Sequence, residues 1–178
     1  KVVPGNDWLT HIGRMTFPIF AFMISEGFIH TKSLKKYIFR LLGFALVSEI
    51  PFNLFYGGSW FYPYHQNVLF TLLFGLLAIT LIDKAKKNRD KKTIIKTVLL
   101  LILLGAASFI GFVDYGFFGF LTVIMFYLFR DFPFAWLLQL ISMVLMNVIL
   151  FEGQQFPVEI FGKTYEIAAQ GFAVFSLI

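Results

Sequence analysis

Cysteine is absent from all 178 residues, which excludes disulfides, thiolate metal sites and cysteine nucleophiles and leaves the redox compartment open. Charge is scarce as well, since Asp, Glu, Lys and Arg together make up 14% of the chain, well below the usual share in soluble domains. The three histidines are scattered without ligand spacing, so no metal is expected. Neither a Walker sequence nor a GxSxG elbow occurs. Internal repeats and low-complexity linkers are lacking too. The opening stretch Lys1–Thr10 is polar and has no basic n-region leading into a short apolar segment, so no cleavable signal peptide is expected.

Hydrocarbon fills the space these absences leave. Apolar residues reach 58%, phenylalanine alone contributes 25 residues, and mean hydropathy is +0.79. The runs Met15–Ile29, Tyr37–Tyr56, Asn67–Ile82, Thr97–Val113, Phe117–Phe129, Phe134–Phe151 and Ile167–Ile178 are each helix candidates for a hydrocarbon core of about 30 Å. Several are short for a straight span, so flanking aromatics or local thinning must cover the difference. The expected fold is therefore all-α, a polytopic membrane bundle of about seven helices forming a single domain, 1–178. Pro18 and Pro51 lie inside the first two runs, where proline removes a backbone hydrogen bond and kinks a helix. Such breaks serve packing or shape a cavity, and both readings stay open.

The sparse charge is distributed unevenly. All fifteen Lys and Arg except Lys1, Arg14 and Lys163 fall in alternate breaks: Lys32, Lys35, Lys36 and Arg40 after the first run, seven between Lys84 and Lys96, and Arg130 after the fifth. The positive-inside rule makes that set cytoplasmic and the Asp83–Lys96 segment a long basic cytoplasmic loop. The pI near 9.5 then reflects topology and contact with the lipid bilayer, not nucleic acid. Gly57–Gln66, Phe112–Gly116 and Glu152–Glu166 become the outer connections.

Ionisable groups at membrane depth cost several kcal/mol unless paired or wet, so each is a candidate for function. Glu26 and His30 are four apart on one helical face near the cytoplasmic end, and Arg40 enters the second helix about one turn from that surface. Glu49 lies 13 residues beyond Lys36, roughly 20 Å into the bilayer, with Asn53 on the same face. Arg14 and His11 open the first helix on the side where Glu49 reaches them. Asp114 sits at an outer turn, Asn67 and Thr71 form an i, i+4 pair, and Gln139 and Asn147 put amides into the sixth run. Each has a plainer alternative. Arg14 and Glu49 can be an interhelical ion pair, Arg40 can snorkel to the interface, His30 can sit at headgroup level, and the amides can be interhelical glue. His65, in an aromatic loop, carries little information of its own.

The strings IGRMTFPIFAFMISEGFIHT (Ile12–Thr31), KYIFRLLGFALVSEIPFNLF (Lys36–Phe55), NVLFTLLFGLLAI (Asn67–Ile79) and VDYGFFGFLTVIMFYLFR (Val113–Arg130) resemble the TraX family, in order and over most of the chain. That family is named for a conjugation protein that acetylates the amino terminus of F pilin, and it resembles the wider transmembrane acyltransferase group. The resemblance places Arg14, Phe17, Pro18, Glu26, Gly27, Thr31, Arg40, Glu49, Pro51, Phe52, Asn67, Thr71, Asp114, Tyr115 and Gly116 at the family's motif positions. Family members usually begin with a further helix ending in an Asp-His pair, the implied general base, and carry a C-terminal aromatic-Pro-His segment. Neither has a counterpart here, so the chain looks like a family core lacking one helix at each end. The isolated chain is expected to fold without turning over acetyl-CoA.

The resemblance implies an acetyltransferase of bacterial cytoplasmic membranes that uses cytosolic acetyl-CoA and no metal. Its acceptor would be an amine or hydroxyl, on a peptide or protein amino terminus or a cell-envelope molecule, and a homo-oligomer is compatible with it. Acyl transfer needs a base, oxyanion donors and cations for the cofactor's phosphates. The expected roles are catalytic for Glu49, Arg14 and Asp114, cofactor-binding for Arg40, His30, Glu26, Lys35 and Lys36, and substrate-binding for Asn67, Thr71, Tyr115 and Asn53. The rival readings are a small transporter or channel with a charged intramembrane path, and a non-catalytic membrane scaffold.

Overall fold

A computed structural model of the chain describes the backbone of residues 7–145, 155–160 and 163–168, and the side chains of residues 16–145. Six helices follow in order: α1 Asp7–His30, α2 Leu34–Gly57, α3 Val68–Asn88, α4 Lys91–Ile110, α5 Gly116–Phe129 and α6 Ala135–Val144. A two-stranded antiparallel hairpin follows them, β1 Gln155–Ile160 and β2 Lys163–Ala168.

The helices α2, α3 and α4 hold 24, 21 and 20 residues of high hydropathy, about 30–36 Å of helix at 1.5 Å per residue, enough to cross a bilayer. This is an all-α membrane protein in its body. The exposed side chains agree, because α2 shows Phe39, Phe44, Val47 and Phe55, and α4 shows Leu99, Ile102 and Leu103. Such faces suit lipid and would not suit water. Pro51 lies within the continuous α2, leaving the Val47 carbonyl without its helical donor.

Two expectations about the connections change. The Asp83–Lys96 segment is not a long basic loop, because α3 runs on to Asn88 and α4 starts at Lys91, leaving only Arg89 and Asp90 between them. Local chemistry explains the extension. Lys87 pairs with Asp83 four residues back at 2.7 Å, and Lys86 and Lys87 sit in the last turn of α3, where cations complement the helix dipole. Arg89 then closes α3 in the left-handed conformation, and the Asp90 carboxylate accepts the Thr93 N–H at 2.8 Å as the N-cap of α4. Hydrogen bonds from Thr93 hold the Asp90 carboxyl below the usual carboxylate range.

The second change concerns the C-terminal part. The expected Glu152–Glu166 loop contains the hairpin, in the register Gln155↔Ala168 to Ile160↔Lys163, and β2 takes Ile167 and Ala168 from the start of the expected seventh helix. Val158, Ile160, Thr164, Tyr165 and Ile167 are β-branched or aromatic residues alternating with polar ones, which is strand chemistry. The remainder of the sixth and seventh runs, with Asn147, lies outside the described residues, so the described helices number six against about seven expected.

The backbone forms two compact units, Ala21–Tyr127, and Lys1–Phe20 together with Leu128–Ile178. In the first, α3 is the buried centre, with Thr71, Leu72, Gly75, Leu76 and Ile79 all inaccessible. Gly75 permits its seam with α5, since a Cβ there would come within 2.6 Å of Val123. Phe22 and Phe28 of α1 meet Phe126 and Tyr127 of α5 edge-on, at centroid distances of 5.9 and 5.6 Å. In the second unit, α6 buries Gln139 and Met143.

Candidate functional site

Within Ala21–Tyr127, α2, α3 and α4 pack as consecutive hairpins, which gathers the connections into two sets. One set holds the α1–α2 and α3–α4 turns and is basic. The other holds the Gly58–Asn67 loop and the Gly111–Tyr115 turn, and it is acidic and aromatic.

The acidic set is built on Asn67. As N-cap of α3 its side-chain oxygen accepts the Leu69 N–H at 2.9 Å. Its amide nitrogen donates to the Ala45 carbonyl at 2.9 Å and to Glu49 Oε2 at 2.6 Å, and its backbone N–H reaches the same Oε2 at 3.2 Å. One cap residue thus docks the start of α3 onto α2 and fixes half of a carboxylate. Glu49 Oε1 is buried and has no donor among the described residues, and so is the side-chain oxygen of Asn53 one turn further on. Asn53 is only 3% exposed, and its amide makes a long 3.4 Å contact to the Trp60 carbonyl. Among the described residues, two buried acceptors on one helical face therefore lack a donor, an arrangement that protein interiors seldom leave unfilled.

Asp114 closes the site from the α4–α5 turn. The Thr71 hydroxyl donates to its carbonyl, its N–H donates to the Gln66 carbonyl at 3.0 Å, and the Gln66 N–H donates to the Phe112 carbonyl at 2.9 Å. The two loops are thus tied by a short parallel bridge between Gln66 and Val113. The Asp114 carboxylate accepts the Tyr115 N–H at 3.1 Å and lies 3.8 Å from His65 Nε2. The turn itself is strained, with Phe112 at φ 51° and Tyr115 at φ 60° in the left-handed region. Non-glycine residues adopt it at a cost, and such strain concentrates at functional positions.

At the basic set, Lys35, Lys36, Phe39 and Arg40 line an open groove of about 480 Å³, and Thr31, Lys32, Ser33, Lys36, Tyr37 and Arg40 line a neighbouring one of about 290 Å³. Lys36 and Arg40 belong to both. Lys32, Lys35, Lys36 and Arg40 put four cations around these grooves within the first two turns of α2 and the turn before it. Glu26 and His30, expected with them, pair instead with each other at 3.5 Å and line neither groove. Asp83 joins the last turn of α3 to α5 through the Tyr127 hydroxyl at 3.2 Å, beneath a Lys86 ammonium 4.8 Å from the Tyr127 ring.

The expected residues thus separate cleanly. Glu49, Asn67, Thr71, Asp114 and Tyr115 are connected by the bonds above, Asn53 lies one turn beyond Glu49 on α2 without a bond to them, and Arg40, Lys35 and Lys36 share the grooves. The side chains of Arg14 and His11 lie outside the described residues. Sequence reading missed His65, whose ring packs on Phe52 and Tyr56 at centroid distances of 5.5 and 4.7 Å. Its partner Asp114 is 49 positions away, so no local spacing could have linked them.

A family model described as TraX protein matches residues 2–177. The chain is also similar to a probable fimbrial assembly protein FimC, serogroup H1, of Dichelobacter nodosus, with 35% identity over 86 residues. That match covers 41% of this chain and 33% of the relative, so the chain spans about a third of that curated protein's length. No solved structure matches.

Proposed function

Because this chain belongs to the TraX family, we propose that it is the core of a membrane-embedded acetyltransferase that passes an acetyl group from acetyl-CoA to an amine. The observation that carries this reading is the pair of buried oxygens on Glu49 and Asn53 that have no donor among the described residues. An ammonium group supplies the donors and the charge they lack. The Lys35–Arg40 grooves suit the cofactor's phosphates. Arg40 and Glu49 lie nine residues apart on α2, about 14 Å along its axis, a separation an extended thioester donor can bridge. The similarity to a fimbrial assembly protein supports the amino terminus of a surface polypeptide as acceptor.

The test uses purified protein in lipid nanodiscs, as the 178-residue chain and with a preceding helix that carries an Asp-His pair. Acetyl-CoA and glycinamide are supplied, and released coenzyme A is read with a thiol reagent. A cysteine-free chain gives no background. Amine-dependent thiol release is the expected result, and none from either form overturns the reading. Arg40→Ala should weaken acetyl-CoA binding and leave the KM for glycinamide nearly unchanged. The grooves are open to solvent, so the difference should shrink as salt rises. Equal acetyl-CoA affinity in both proteins would assign Arg40 to lipid headgroups.

In the same reading the basic turns face the cytoplasm of a bacterial inner membrane. Asn88→Cys and Ser59→Cys report this in turn, one at each end of the unit. An impermeant thiol reagent on intact cells should label Ser59→Cys and spare Asn88→Cys, and the reverse pattern inverts the topology.

A further inference from the structure

Among the described side chains, His65 is the histidine that the structure brings into the acidic set, and neither composition nor spacing marked it. Three features distinguish it from a loop residue placed for packing. First, its position is held from both sides. The adjacent Gln66 is locked to Phe112 and Asp114 by backbone hydrogen bonds of 2.9 and 3.0 Å, and the Thr71 hydroxyl fixes the Asp114 carbonyl. Second, its ring is clamped. Phe52 stacks on it at an interplanar angle of 25°, and Tyr56 tilts against it at 49°. Third, it faces a carboxylate, with Nε2 at 3.8 Å from Asp114 Oδ1. That is longer than a direct hydrogen bond and within reach of one bridging water. Both side chains are about one-third exposed, 32% and 33%, so the pair is open to a small reactant.

Once the ring has taken up a proton, the Asp114 carboxylate and the faces of Phe52 and Tyr56 can accommodate the imidazolium. Phe52 and Tyr56 are the residues three and seven beyond Glu49 on α2, so His65 packs on the stretch of α2 that carries Glu49 and Asn53. We propose that His65, oriented by Asp114, is the proton acceptor of this site. The inference rests on the acetyl-transfer reading above. An acceptor ammonium held at Glu49 and Asn53 loses one proton to the imidazole. The N–H electron pair stays on nitrogen, His65 becomes imidazolium against the Asp114 carboxylate, and the free amine then attacks the acetyl thioester. The C–N bond forms as the C–S bond breaks. Of the two protons left on nitrogen, one stays as the amide N–H and the other ends on the departing thiolate, so coenzyme A leaves as the thiol. With Nε2 turned to Asp114, Nδ1 carries the lone pair.

His65→Phe is the informative variant, because it keeps a flat ring between Phe52 and Tyr56 and removes the proton acceptor. In the nanodisc assay with acetyl-CoA and glycinamide, run on the 178-residue chain so that no added Asp-His pair can act as base, kcat should fall about 10²–10⁴-fold, the range for loss of general base catalysis. The KM for acetyl-CoA and the melting temperature should stay near those of the wild type. His65→Ala should regain turnover when imidazole is added to the buffer, and His65→Phe, whose ring fills the space, should not. Asp114→Asn should lower kcat without changing the KM for acetyl-CoA. Wild-type turnover judges the transferase reading by itself. Where it is present, a folded His65→Phe protein with undiminished kcat, or no imidazole rescue of His65→Ala, overturns the role of His65 and leaves the transferase reading intact.

Discussion

Glu49→Gln should fold normally and lose acetyl transfer by about 10²-fold or more, the scale for a lost charge contact at a reacting centre. The structure separates the two effects. Glu49 Oε2 accepts two hydrogen bonds from Asn67, and the carbonyl oxygen of glutamine can accept both. The amide NH2 then occupies the position of Oε1, which has no donor to lose among the described residues. The net stability change should therefore be small, about 1 kcal/mol for hydrogen bonds that lose their charge assistance. An incoming ammonium would instead meet a donor where it needs an acceptor, and binding would fail. Glu49→Leu provides the contrast, since it strands the Asn67 donors and should cost about 1–3 kcal/mol of stability as well. Melting curves and thiol release from acetyl-CoA, measured on the same preparations, distinguish these outcomes. Undiminished turnover in a folded Glu49→Gln protein removes Glu49 from the site.

That distinction depends on a partner the sequence did not reveal. From sequence, Glu49 read as a candidate catalytic residue, with an interhelical ion pair to Arg14 as the plainer alternative. The structure gives it a neutral partner, Asn67, with two donors. Membrane class was legible because hydropathy is a property of each run by itself. The candidate list was legible because a polar group inside an apolar run needs a reason to be there. Glu49, Asn53, Asn67, Thr71 and Asp114 all stood out in this way, and hydrogen bonds through Asn67 and the Gln66–Asp114 bridge join all of them but Asn53.

Other features depended on information that no run contains. Asn67 read as a helical residue paired with Thr71, yet it precedes the helix and caps it, because Asn in extended backbone can accept the Leu69 N–H. The basic segment read as a loop because charge disrupts a hydropathy run. Charge does not disrupt a helix when a Lys-Asp pair and an Asp cap hold its turns. The hairpin at 155–168 read as an outer connection leading into a helix at Ile167, although Val158, Ile160, Tyr165 and Ile167 carried a period of two. His65 was lost because the loop bridge that brings Asp114 to it forms only when α3, α4 and α5 pack.

The largest stability effect expected in this site comes from an isosteric change, Asn67→Asp. The wild-type amide nitrogen donates to Glu49 Oε2 at 2.6 Å and to the Ala45 carbonyl at 2.9 Å. Aspartate places an anionic oxygen at that point, facing a carboxylate and a carbonyl with no proton between them. The N-cap function survives, since the other carboxylate oxygen can still accept the Leu69 N–H. The loss therefore reports the buried acid pair and not the cap. An uncompensated buried charge costs about 3–5 kcal/mol, enough to remove much of a small domain's stability. Adding Glu49→Gln to Asn67→Asp returns a donor to the pair, with the glutamine amide now facing the aspartate. The double variant should be more stable than Asn67→Asp alone, and the coupling across the cycle should be large and favourable. Asn67→Ala is the reference for losing the cap and the bonds together without introducing charge. Melting temperatures in one lipid composition decide the matter. If Asn67→Asp melts no lower than Asn67→Ala, and Glu49→Gln fails to rescue it, then Glu49 and Asn67 do not share the contact on which this site is built.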